Sequence, residues 1–308
     1  MDLRQIECFL CLYRNGGMTR AAAELGIVQS ALSTQLAKLE KTLKVQLFER
    51  SSRGVTPTAA GVDLYKMLLP LSKEVESVRQ RMLDLSGGTS GLIRVGTVPS
   101  LGASIVPRAL SLYSAENRDV AIRLTEAYSA GLVERLDAGE LDVAIVNLIQ
   151  PVRSLETAPL VSEELVLVIA SDSPLRNVEF QDLSIDALIV PSLGQGLRAI
   201  IDPVLKKRGP AARPRLEMDA LTPTLELVKS GAWATILPVS AIAHELDAGA
   251  LSVRRIHADM QRQLVVVNHP RRPLSLAAQR FVAALAAEAQ DAVARAQRFM
   301  KSLKPRKK

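Results

Sequence analysis

The sequence predicts a helical head joined by one long helix to an α/β body, an α + α/β chain. Three observations carry that prediction. Between Met18 and Glu40, two short amphipathic segments flank a single glycine, the pattern of a helix-turn-helix. From Leu64 to Leu85, apolar residues recur at alternating steps of four and three, which is an a/d heptad seam. Beyond the glycine-rich break at residues 87–91, short Val/Ile/Leu runs alternate with helical stretches, as in parallel sheet covered by helices.

The first helix, Asp2 to Arg14, places Leu3, Ile6, Phe9, Leu10 and Tyr13 on one apolar face, and Asn15-Gly16-Gly17 ends it. Thr19 is expected to cap the second helix, with Ala21, Ala22 and Leu25 inward, before Gly26 turns the chain. The third helix buries Leu32, Leu36, Leu39 and Leu43 and leaves Gln29, Ser30, Ser33, Thr34 and Lys38 on its free face, with Gln35 beside them. A hydroxyl- and amide-bearing free face on the second helix of such a pair suits the DNA major groove, where Gln can bond adenine bidentately. Leu47 and Phe48 then open a strand, Arg50 to Gly54 turns, and Val55 to Thr58 returns, forming a two-stranded wing. Arg50 and Arg53 are expected at phosphates or the minor groove, and Thr19, Arg20 and Thr56 complete the DNA-binding set.

The long helix, about Ala59 to Ser86, carries the seam Leu64, Leu68, Leu71, Val75, Val78, Met82 and Leu85. A solitary helix would expose it, so a homodimer through this helix is expected; packing against the chain's own body is the alternative. Pro70 interrupts the early part.

In the body, strands are expected at Leu92–Val98, Val120–Thr125, Val143–Val146, Leu165–Ala170, Ala187–Val190, Thr235–Leu237 and Leu264–Asn268. Helices are expected at Ala103–Ser114, Leu132–Ala138, Leu197–Lys207 and Thr224–Ser230, with a last one at Leu276–Met300. Two such units in tandem make a cleft, and ligands bind beyond the carboxyl ends of strands. That rule selects Thr97, Pro99, Ser100, Ser129 and Asn147 from the first unit, and Ser192, Gly194, Gln195, Arg198 and Thr222 from the second. Hydroxyls and backbone N–H groups at helix N-termini favour an anion, and Arg198 is placed to clamp a carboxylate bidentately. The competing reading makes Ser100, Ser129 and Thr222 simple helix caps.

The net charge of +7 is concentrated at the end of the chain, where seven basic residues and no acid follow Asp291. The rest is near neutral, which suits a regulator better than a DNA-coating protein. The N-terminus is charged and lacks an apolar run for export or membrane spanning, so a cytoplasmic location is expected. Cys8 and Cys11 are expected in the core, and with three His and two Cys no metal site or cofactor is expected. No nucleophile–base arrangement, P-loop or dinucleotide fingerprint supports an enzyme. A transported-solute receptor would fit the body but not the head.

Taken together, Thr19–Glu40, the wing at 47–61 (LFERSSRGVTPTAAG) and AGELDVAIV at 138–146 resemble the LysR-type transcriptional regulators over the chain up to about residue 290. The wing and WATILPVSA at 233–241 look most like the nitrogen-assimilation-control branch. The resemblance implies a winged helix-turn-helix over 1–58, a linker helix and hinge over 59–90, and a two-lobed effector domain like a type 2 periplasmic binding protein. Lobe 1 would span 91–162, with 268–294 returning to it, and lobe 2 would span 163–267, leaving a basic tail at 295–308. It further implies a bacterial, nucleoid-associated homotetramer built from linker-helix dimers. Its partners would be double-stranded promoter DNA, a small-molecule coinducer (a carboxylate or similar anion) and RNA polymerase. A regulator without a ligand, controlled by abundance or a partner protein, is the alternative.

The chain departs from the family pattern in the recognition helix. Val28 stands at the serine cap, Ser30 at the following proline position, and Thr34 at a common arginine. A lost cap typically costs about 1 kcal/mol, and Ser30 is a candidate to cap instead and shift the helix start.

Overall fold

The head begins with a helix that closes its own N-terminus. In α1 (Leu3–Asn15) the Asp2 carboxylate accepts from the Gln5 N–H at 2.9 Å and the Gln5 side chain accepts from the Asp2 N–H at 3.2 Å, a reciprocal capping box. Gly16, at φ +59°, ends it. The computed structural model describes residues 1–51, 54–85, 89–148, 154–208, 214–256 and 260–302. The chain divides into two units, Met1–Leu83 with Ala138–Glu140, and Asp84–Asp137 with Leu141–Lys308.

In the first unit, α2 (Met18–Glu24) starts one residue before Thr19, with Gly17 at the cap position and no side-chain cap bond. The expected Thr19 cap is therefore corrected: Thr19 lies inside the helix, where its hydroxyl cannot reach back to the first turn's N–H groups. Helix α3 (Gln29–Leu43) follows Val28, which caps without a side-chain bond; Ser30 sits within the first turn and does not shift the start. The wing is β1 (Phe48–Ser51) paired antiparallel with β2 (Gly54–Pro57), Glu49 opposite Thr56. Phe9, Leu12, Leu32, Leu39 and Leu47 fill the core between helices and wing. Leu43 does not join it and is 36% exposed. Cys8 and Cys11 are buried free thiols, and burial raises both pKa values, which makes them poor nucleophiles.

The wing-to-helix corner explains the TPTAAG sequence. Helix α4 (Ala59–Leu85) is capped by Thr58: its Oγ1 accepts from the Gly61 N–H at 3.1 Å and donates to the Gln46 carbonyl at 2.8 Å. The Thr58 N–H donates to the Leu47 carbonyl at 3.0 Å. A Cβ on Gly61 would lie 2.2 Å from that same carbonyl oxygen, so only glycine lets the strand and the helix approach this closely. Further along α4, Leu64 and Leu68 pack into the head core, whereas Leu71, Val78, Met82 and Leu85 are more than half exposed. Pro70 lies inside the helix.

The second unit comprises β3 (Gly91–Thr97), α5 (Pro99–Gly102), α6 (Ile105–Glu116), β4 (Val120–Glu126), α7 (Ser129–Asp137), β5 (Val143–Asn147), β6 (Glu156–Ala170) and β7 (Leu188–Val190). There follow α8 (Gly196–Lys206), β8 (Leu216–Glu217), α9 (Leu221–Lys229), β9 (Ala234–Pro238), α10 (Ala243–Asp247), β10 (Leu251–Arg255), β11 (Gln261–Asn268) and α11 (Leu276–Ser302). Among the described residues these strands run in the order β4-β3-β5-β11-β6-β9-β7-β8, with β10 paired to β6. Strands β3, β4 and β5 are parallel, as are β7, β8 and β9; β11 runs antiparallel to β5, β6 runs antiparallel to β9, and β6 and β11 run antiparallel to each other.

Two strands thread both lobes. The first half of β6 pairs with β11 beside β5, and the second half pairs with β9 and β10. Leu264 already pairs with Asn147 of β5, so the chain re-enters the first lobe ahead of residue 268, where the return was expected. At the crossing, Glu163 and Arg262 face each other in register. Arg262 is fully buried; its Nε donates to Glu163 Oε1 at 2.9 Å and its Nη1 to Ser100 Oγ at 2.6 Å. Ser240 Oγ donates to Glu163 Oε2 at 2.6 Å, which completes the carboxylate's shell.

The tail expected at 295–308 is corrected in its first part. Residues 295–302 continue α11, and Met300, with Ala296 and Phe299, packs against the second lobe's core. The apolar positions in this stretch hold the helix down despite its basic surface. Among the described residues no helix is long and apolar enough to cross a membrane.

Candidate nucleic-acid interface and ligand cleft

The leucines of α3 fix which face is free. Leu32, Leu36 and Leu39 are at most 4% exposed, so the helical period turns Ser30, Ser33, Thr34, Ala37, Lys38 and Lys41 outward as one shallow polar surface. Of these, Ala37 and Lys41 were not singled out from the sequence, although they continue the same three- and four-residue stripe. The Thr34 hydroxyl donates to the Ser30 carbonyl at 2.9 Å, which leaves its oxygen as an acceptor. Gln29 borders the surface, and its Oε1 accepts from Thr19 Oγ1 at 3.4 Å, tying the starts of α2 and α3. Arg20 on α2 and Thr56 on β2 are exposed. Gln35 is half-buried and lies off the surface. Arg50 lies on β1, and Arg53 lies outside the described residues.

The wing is held to this helix by one carboxylate. Glu40 Oε1 accepts from the backbone N–H groups of Leu47 at 2.8 Å and Phe48 at 3.4 Å. The end of the recognition helix thus sets where the first wing strand begins.

In the second unit, a solvent-open cleft lies between the two lobes. Four of the expected ligand residues line it: Pro99, Ser100, Asn147 and Gln195. The other six do not. Thr97 is fully buried, and Ser129 Oγ accepts the Asn147 N–H at 3.1 Å, positioning that residue. The Ser192 N–H donates to Asp219 at 2.9 Å, and Gly194, at φ +89°, is exposed. Thr222 faces solvent on α9, whereas Thr224, two residues on, lines the cleft.

Arg198 is the main correction. It is 6% exposed and its guanidinium is held within its own lobe: Nη1 donates to the Pro191 carbonyl at 2.8 Å and to Glu217 at 2.9 Å, and Nε to Asp202. Burial opposes its charge, but hydrogen bonds to Asp202 and Glu217 more than offset this and raise its pKa. A guanidinium bound to two carboxylates has no fork left for a ligand.

The cleft wall adds residues that the strand-end rule missed, among them Tyr128, Asp219 and Thr235. The Tyr128 phenol is pushed up to about 12, first by burial and then by the nearby charge of Asp219, so it stays an O–H donor at neutral pH. Thr224 donates to the Ala220 carbonyl at 2.8 Å and Thr235 to the Ile189 carbonyl at 3.0 Å. The lobes approach closely where Gly196 starts α8, since a Cβ there would sit 3.0 Å from Asn147 Cβ.

Comparison with known proteins agrees with this two-part geometry. Residues 3–62 match the bacterial regulatory helix-turn-helix protein, lysR family, and residues 86–290 match the LysR substrate binding domain. The nitrogen assimilation regulatory protein nac of Klebsiella aerogenes is 32% identical over 243 residues, 78% of this chain and 79% of that protein. A full-length OxyR variant from Pseudomonas aeruginosa superposes with a TM-score of 0.72 at 23% identity, over 94% of this chain and 95% of that one. Full-length CbnR, solved in complex with its target DNA, gives a TM-score of 0.64 at 20% identity, over 94% of this chain and 100% of that one.

Proposed function

The chain belongs to the lysR family of bacterial transcriptional regulators, and from that premise we propose how its parts divide the work. Helix α3 enters the major groove of promoter DNA and presents Ser30, Ser33 and Thr34 to base edges. Lys38, Lys41 and the wing arginines hold phosphates. The observation that carries this is the polar surface of α3, opposite leucines that are at most 4% exposed. The missing arginine at position 34 removes one cationic contact, so base preference rests on neutral side chains here.

Lys38→Ala should flatten the dependence of log K on log salt by about 0.9, the counterion release of one phosphate contact. Binding isotherms on a genomic operator across a salt series measure it. An unchanged slope takes Lys38 off the contact surface.

Two copies pair through α4, because Leu71, Val78, Met82 and Leu85 form an apolar row that one copy leaves in water. The heads then read half-sites about one helical turn apart, roughly 34–36 Å, and dimers associate into a tetramer at the promoter. Val78→Glu combined with Met82→Glu should shift the sedimenting species to monomer without loss of helical signal. A dimer that persists in that variant would place the interface elsewhere.

The cleft between the lobes takes a small molecule whose binding changes how the paired heads sit on DNA. The reading rests on polar groups from both lobes lining one solvent-open cleft with an apolar wall. Thermal unfolding in the presence of candidate metabolites tests it, since binding to the folded state alone raises the melting temperature. We place the protein in the cytoplasm on the nucleoid, with RNA polymerase as a further partner.

A further inference from the structure

Resting on that reading of the cleft, we propose that its ligand is a compact molecule with an apolar body and an N–H donor head (a primary ammonium or a carboxamide) rather than a carboxylate. Beside the O–H donors of Ser100 and Tyr128, the cleft holds a set of acceptors already stripped of their own hydrogens or lacking any partner. Asn147 is 8% exposed, and its Oδ1 is buried without a hydrogen-bond partner. Thr224 and Thr235, both at most 5% exposed, have already donated their hydroxyl hydrogens to the Ala220 and Ile189 carbonyls. Only oxygen lone pairs remain there. Asp219, at the solvent-open rim, adds a carboxylate with no ion-pair partner among the described residues.

Cations are missing from the same wall. Among the described residues no lysine or arginine lines the cleft. Arg198 is held by Asp202 and Glu217, and Arg262 by Glu163. Arg262 reaches the cleft only through Ser100, whose Oγ accepts from it and keeps one O–H to give. A carboxylate entering here would meet Asp219 without a counter-charge and would leave Asn147 Oδ1 unsatisfied. An N–H head supplies the kind of donor that Asn147 Oδ1 lacks, and an ammonium offers three donors where a carboxylate offers none. Val98, Ile189, Met218, Leu221 and Leu237 supply the apolar wall for the body.

The test uses the full chain and three probes that share one alkyl body: hexylamine, hexanamide and hexanoate, titrated by ligand-observed magnetic resonance or calorimetry. At least one nitrogen compound should bind about tenfold or more tightly than hexanoate, a difference of about 1.4 kcal/mol. Asn147→Leu should erase that preference. Asn147→Asp, which keeps the acceptors should the first variant misfold, should favour hexylamine further. Asp219→Asn distinguishes the two heads, because it weakens an ammonium and leaves an amide unchanged. Hexanoate binding best, with Asn147→Asp weakening it, overturns the donor-head proposal and keeps the cleft as the ligand site. Binding that Asn147→Leu and Asn147→Asp both leave unmoved, or no binding by any probe at saturation, overturns the cleft reading and this inference with it.

Discussion

Arg262→Met should cost about 3–5 kcal/mol of folding stability. The guanidinium is fully buried where β6 and β11 cross between the lobes, and among the described residues it is the one cation bonded to Glu163; the carboxylate's other partner, Ser240, is neutral. Removing it strands a carboxylate in a low-dielectric interior and takes a donor from Ser100. Denaturant unfolding followed by fluorescence and circular dichroism measures the loss. Replacing both partners, Arg262→Met with Glu163→Leu, should recover most of the stability, since an apolar pair of similar volume often matches a buried ion pair. A double variant as unstable as the single one would show that Ser100 and Ser240, not the charge, set the cost.

Gly61→Ala should destabilise the head by about 1–3 kcal/mol, the cost that overpacking typically carries. The added Cβ would sit 2.2 Å from the Leu47 carbonyl oxygen, a backbone atom that cannot swing aside as a side chain can. To yield, Leu47 has to give up the Thr58 N–H, and the cap at Thr58 loosens with it. The wing then loses its root, so DNA affinity should fall along with stability. Gly131→Ala is the control. It lies within α7, a Cβ there meets nothing within 4 Å, and the change should stabilise by about 0.5–1 kcal/mol. Thermal unfolding of both variants beside the parent measures the contrast; equal behaviour would mean that the corner adjusts freely.

What could be read from the sequence was what local periodicity encodes. The leucine stripe of α3, the wing strands and the seam of α4 all follow from spacings of two, three and four residues, and these elements form where expected. Asn147 and Gln195 were legible because they stand at the end of β5 and the start of α8. Arg198 was misread because its partners, Asp202 and Glu217, are named by folding and not by spacing; Glu217 lies nineteen residues on, across a strand pairing. The first half of β6 was missed because Glu156, Pro159, Glu163 and Glu164 break its apolar run. Their polarity makes sense only at the crossing between lobes, where Glu163 has Arg262 opposite. Thr222 and Thr224 differ only in which side of α9 faces the cleft, and that depends on packing against the sheet.

Helix α11 has one end in each lobe. Phe281, Leu285 and Ala289 belong to the first lobe's core, and Met300 to the second's, along 27 residues or about 40 Å. With β6 and β11 it makes a third span between the lobes, and unlike them it is a stiff rod. A rotation of the second lobe about the strand pair has to carry the last two turns of α11 along or pull Phe299 and Met300 out of their seats. The rod therefore acts as a latch on the domain's opening angle, and the side chains at its far end set how firmly that latch holds.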